Sequence, residues 1–125
     1  MPEFIDVDPG ELRLPPSRRQ GADSGKLARQ IAKHGNSLDG MPPLQVIRGK
    51  DGLLRINDGV TRATRAAKLR PGALVPAEVI QDLPRLDVTR TPNVKDTLLL
   101  EAARLHLKQL APSEATPSGR TSPST

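Results

Sequence analysis

A small mixed α/β (α+β) domain, in the order β-α-β-β-α-β and closed by a C-terminal helix, is the fold class this sequence predicts. Short runs rich in Val, Ile and Leu at residues 3–7, 44–48, 53–57 and 74–80 are bounded by Asp, Gly and Pro, as half-buried strands are. Between them lie two stretches with apolar residues at i, i+3, i+4 spacing, Leu27-Ala28-Ile31 and Ala63-Ala66-Ala67, the signature of helices that bury one face. A third helical pattern, over residues 94–110, carries Leu98, Leu99, Ala102, Leu105 and Leu110.

Residues 3–7 form the first strand, Asp8-Pro9-Gly10 a turn, and residues 11–14 an extended continuation ahead of Pro15-Pro16. Arg18 and Arg19 fall in the loop that follows. Ser24 is placed to cap a helix that Gly35 ends. The stretch Gly21-Ala22-Asp23-Ser24-Gly25-Lys26-Leu27 has the outline of a P-loop but is one residue short, and Leu27 stands where that motif requires Ser or Thr. Residues 44–48 and 53–57 pair as a hairpin across Gly49-Lys50-Asp51-Gly52. A second helix runs from Val60 to the stop at Arg70-Pro71-Gly72, and residues 74–80 return as a strand in which Pro76, lacking an N–H, indicates an edge position or a bulge. The domain so defined covers residues 1–83, followed by a linker at 84–93. Residues 94–110 are an amphipathic helix whose apolar face is expected to pack back on the sheet, the alternative being a homodimer or partner interface. Residues 111–125, which contain no large apolar side chain, are expected to be a disordered tail.

Composition removes several function classes. Phe4 is the only aromatic residue, so the core must be built from Leu, Ile, Val and Ala, and the composition argues against recognition of nucleic acid by base stacking. There is no cysteine for a disulfide, and His34 and His106 lie on different predicted helices, so no metal site is expected. The first residues lack the basic and apolar regions of a secretory signal, and no apolar run reaches membrane-spanning length, which leads to the expectation of a cytoplasmic protein with no membrane partner. The net charge of +5 is compatible with an acidic partner such as nucleotide or DNA. Arg55, Arg62, Arg65, Lys68 and Arg70 concentrate it around one strand-helix unit.

That unit is the candidate site. The strand at 53–57 breaks at Asp58-Gly59 into the helix Val60-Thr61-Arg62-Ala63-Thr64-Arg65-Ala66-Ala67, and the first amides of a helix lack intrahelical partners at the positive end of its dipole. Gly59 offers no side chain to obstruct a ligand. Arg62 and Arg65, three residues apart, are expected to point outward beside the helix N-terminus, while the three alanines lie against a support. The plain alternative is ordinary supersecondary structure, with Asp58 as the helix cap and the arginines solvated.

In order and spacing, Pro42-Pro43-Leu44-Gln45-Val46-Ile47-Arg48, Asp51-Gly52, residues 53–57, Asp58-Gly59-Val60-Thr61-Arg62, Ala66-Ala67 and Val75-Pro76-Ala77-Glu78-Val79-Ile80 resemble the ParB/sulfiredoxin superfamily domain. The resemblance implies that the Gly-x-x-Arg turn cradles nucleotide phosphates, with Gly59, Val60, Thr61 and Arg62 as the turn and Arg65 beside it. It implies a nucleoside triphosphate with Mg2+ as the ligand, and the loop arginines Arg18 and Arg19 as second-tier contacts. The turn departs from ParB, where the Gly is followed by Glu-Arg-Arg, since Val60 replaces the Glu and Thr61 the first Arg. Sulfiredoxins place a reacting Cys there, so their chemistry is excluded. Asp58 is the nearest carboxylate and the one weak catalytic candidate. The expected function is thus nucleotide binding, with NTP hydrolysis or phosphotransfer as its enzymatic form. The alternative is a non-enzymatic accessory subunit that contacts DNA or a DNA-processing protein.

Overall fold

The seven elements that the residue pattern outlines all form in the computed structural model, which describes residues 2–110; the tail expected at 111–125 lies outside the described residues. They are β1 (Glu3–Val7), α1 (Ser24–His34), β2 (Leu44–Arg48), β3 (Leu54–Asp58), α2 (Val60–Leu69), β4 (Val75–Asp82) and α3 (Val94–Leu110). The strands make one mixed four-stranded sheet in the order β1-β4-β2-β3. β1 pairs antiparallel with β4, β4 parallel with β2, and β2 antiparallel with β3 as the expected hairpin.

Alternation along the strands decides which side is covered. Val7, Leu44, Val46, Ile56, Val75 and Ala77 share one face and join Ala63, Ala66 and Ala67 of α2 in a single apolar cluster. The three alanines are 0%, 0% and 9% exposed, so the helix lies directly on the sheet. On the opposite face Phe4, Pro76 and Ile80 remain exposed, which leaves the only aromatic ring outside the core.

Three expectations are corrected. Pro76 does not mark an edge, because β4 is a central strand. The chain tolerates the missing N–H because Pro76 pairs with Asp6 of β1 alone, one residue before the β2 ladder begins at Ala77. A bulge does exist, but at Ile80, where the register moves from Val46↔Val79 to Ile47↔Gln81. α1 is capped by Asp23 rather than Ser24: Asp23 is extended and its Oδ2 accepts from Lys26 N at 2.9 Å, while Ser24 is already the first helical residue. Gly35 ends the helix as expected, with φ 59°.

The segment 84–93 is irregular, as a linker would be, yet it is packed. Lys50 N donates to Leu86 O and Leu14 N to Pro92 O. Thr91 is buried, and its hydroxyl donates to Leu14 O at 2.5 Å. Residues 12–14, expected to be extended, are held between this segment and β3: Arg13 N donates to Leu54 O and Ile56 N to Arg13 O. Residues 12–14 therefore cover the outer edge of β3, and the segment 84–93, a strap packed against them, delivers the chain to Asn93, whose side chain accepts from Asp96 N at the start of α3. Of α3, Val94 is buried and Leu98 packs against the core cluster. Beyond that every residue from Leu99 to Gln109 is exposed, so the expected packing on the body holds only for the first turns.

Candidate functional site

β3 ends on Asp58, and Gly59 turns the chain into α2 with φ 108° and ψ 24°. That left-handed geometry suits glycine alone here, since a Cβ would lie 2.7 Å from Leu44 Cδ2 and 3.1 Å from Arg62 Nη2. Gly59 O accepts from Ala63 N at 2.9 Å, which makes Gly59 the capping residue, and no side chain caps it. Asp58 therefore does not cap the helix. It is exposed, its Oδ2 3.8 Å from Arg62 Nη2, because it stands one position too early for its carboxylate to serve as the cap. The positive end of α2, at Val60, Thr61 and Arg62, is left without a side-chain acceptor.

The two arginines of the turn part company. Arg62 folds back toward the start of β2 and donates from Nη2 to Pro43 O at 3.2 Å, while its Nε is buried without a partner. Arg65 points inward rather than outward as expected. It is 3% exposed and donates from Nη1 to Gly35 O at 3.0 Å and to Ser37 O at 2.7 Å. Burial lowers its pKa from the usual guanidinium value. The reason is geometric: three residues advance a helix by about 300°, so Arg65 is displaced some 60° from Arg62, toward the loop that follows α1. Arg65 is thus a clamp on that loop and does not reach the helix N-terminus. Lys68 continues the drift toward α3, and Arg70 Nη1 lies 3.4 Å from Asn36 O. The basic residues of this unit do not form one patch.

What does form is a cleft of about 260 Å³ in front of the turn. Residues 57–62 make one wall, Pro15, Ser17 and Arg18 another, and Lys26 and Gln30 of α1 the third. Of the two loop arginines, Arg18 belongs to this cleft. Arg19 does not, its Nη2 lying 3.4 Å from Arg90 O. Lys26 was not among the sequence candidates. It reaches the cleft because Asp23 starts α1 beside the loop, and the failed P-loop stretch holding both residues carried the only hint of it. Gln30 was also missed. It stands one turn after Lys26, at i+4, and its Oε1 is buried with no hydrogen-bond partner.

Chemically, the arrangement presents donors and positive charge from three elements, with Asp58 the only carboxylate among the cleft residues. No group of three or more His, Cys, Asp or Glu side chains suited to a metal ion occurs among the described residues. No helix of the described residues is long and apolar enough to cross a membrane. No protein-family model matches the chain, and a search of curated proteins finds no match.

Proposed function

We propose that the chain is a phosphate-binding module of ParB-like type that takes a nucleoside triphosphate, or a closely related phosphorylated ligand, in the cleft at the start of α2. The observation that carries this reading is the convergence of Arg18, Lys26 and Arg62, from three separate elements, on a helix N-terminus that no side chain caps. The residues present fit a phosphate chain: Gly59 and the amides of Val60, Thr61 and Arg62 offer uncharged donors, and the three cations offset its charge. The unpartnered Oε1 of Gln30 adds an acceptor, which favours a ligand carrying hydroxyl or amino groups as well as phosphates. A magnesium ion would travel with the phosphates, with Asp58 as the carboxylate beside it. Binding rather than turnover is the reading, because Asp58 stands beside Arg62 and no histidine or second carboxylate accompanies it in the cleft.

A second reading, a non-enzymatic accessory acting through DNA or a DNA-processing protein, is favoured by the exposed leucines of α3. Calorimetric titration with ATP, CTP, GTP and ADP, with and without magnesium at low salt, separates the two. Saturable binding that weakens by about one to two orders of magnitude in Arg62→Ala and in Lys26→Ala is the expected result, each loss being that of a charge-assisted hydrogen bond. Absence of binding by the folded wild-type chain refutes the phosphate reading and leaves the accessory reading in its place.

A further inference from the structure

We propose that the exposed part of α3 is covered by a second copy of this chain, packed antiparallel across it. Leu99 and Leu105 are 66% and 56% exposed, and with Leu98 and Ala102 they make one apolar side of the helix. Along one side of α3 a groove of about 530 Å³ is lined by Ala67, Lys68, Leu98, Leu99, Ala102 and Leu105. Ala102, small and central, lets another helix approach closely.

Two features select this chain itself as the occupant. Residues 111–125 contain no Leu, Ile, Val, Met or aromatic residue, so they have no side chain with which to fill an apolar groove. One pair of charges on α3 is self-complementary across a two-fold axis. Glu101 and Lys108, seven residues apart, lie on the same flank of the helix, and an antiparallel two-fold pairing sets Glu101 against the partner's Lys108 twice. One helix face and its groove make a small interface, so the dimer is weak and concentration-dependent.

Sedimentation velocity on the full chain from about 5 to 500 μM is expected to show a monomer–dimer equilibrium. Leu105→Lys, at an exposed position where Glu101 one turn earlier supports the helix, is expected to raise the dissociation constant at least about tenfold with unchanged circular dichroism. Glu101→Lys is expected to raise it by about two- to fivefold, and Glu101→Lys with Lys108→Glu to restore it. The charge pair carries the test by itself if Leu105→Lys lowers helicity. A chain that stays monomeric over the whole range, a dimer indifferent to Leu105→Lys in a folded protein, or a charge swap no better than Glu101→Lys overturns the proposal.

Discussion

Replacing Arg65 tests whether α2 carries its charge for a ligand or for its own architecture. Two hydrogen bonds from one nitrogen join the middle of α2 to Gly35 O and Ser37 O, on the loop that leads from α1 to β2. Each is charge-assisted and contributes about 1.5–3 kcal/mol before the cost of burying the cation is counted. That cost is real, since Nε is buried without a partner and no carboxylate is paired with Arg65 among the described residues. Arg65→Met keeps the apolar volume and removes both bonds, leaving two carbonyls to find water; we expect a net loss of about 2–3 kcal/mol, or some 10–15 °C in melting temperature for a domain of this size. Arg65→Lys keeps one compact charge and recovers only part of the loss. Urea and thermal denaturation followed by circular dichroism read both values. Nucleotide affinity of the folded variants should change by less than about threefold, because Arg65 is not part of the cleft. Two results would refute the reasoning. Arg65→Met matching wild-type stability would mean that burial cancels the bonds, and lost binding at unchanged stability would make Arg65 a ligand residue after all.

Gly59→Ala is expected to cost about 2–4 kcal/mol in denaturant, from a left-handed φ of 108° and a Cβ 2.7 Å from Leu44 Cδ2; stability within ~0.5 kcal/mol of wild type would contradict the packing at the turn. Asp23→Ala removes the bond from Lys26 N and should lower stability by about 1 kcal/mol, read in the same assay, while Ser24→Ala should change it far less. Asp87 caps the turn Val88–Arg90, and hydrogen bonds from the Thr89 hydroxyl and amide hold its pKa below the usual carboxylate value. A depressed carboxylate stabilises the fold above its unfolded pKa and loses that contribution as pH falls through the folded one. The stability gap between wild type and Asp87→Ala should therefore be present at neutral pH and shrink in acid below the normal range of aspartate; a gap that widens there would reverse the assignment.

Periodicity and turn chemistry made the elements legible. β1, β2 and α3 form with the expected bounds, and α1 ends where expected, because these limits are set by residues whose backbone preference admits few alternatives, such as the glycine ending α1. Pro76 was misread because the argument from a missing N–H concerns one residue, whereas strand order depends on pairings far along the chain. A proline one step outside the β2 ladder is compatible with a central strand. The packed strap at 84–93 had no periodic signal, since its anchors are scattered single groups, backbone bonds to Leu14 and Lys50, the Thr91 hydroxyl and the buried Val88, rather than a repeating apolar pattern.

The site follows the same division. Gly59 and Arg62 were legible because their geometry is local: a strand end, a residue with positive φ and the first turn of a helix lie within five positions. Arg65 shared their composition but not their direction, and the 100° step per residue that brought the alanines onto the sheet also carried Arg65 into the loop after α1. Lys26 and Gln30 became neighbours of Arg62 only through the packing of α1 against α2, a contact that no spacing within either helix encodes. The charge of the cleft is therefore a tertiary property. Its test is the pairing of Lys26→Ala with Arg62→Ala: if both cations act on one bound anion, the double variant should lose less affinity than the two single losses combined, since the second substitution acts on a ligand already displaced or repositioned. Simple additivity would mean that the two side chains contact independent parts of the ligand, and would move Lys26 away from the phosphate that Arg62 holds.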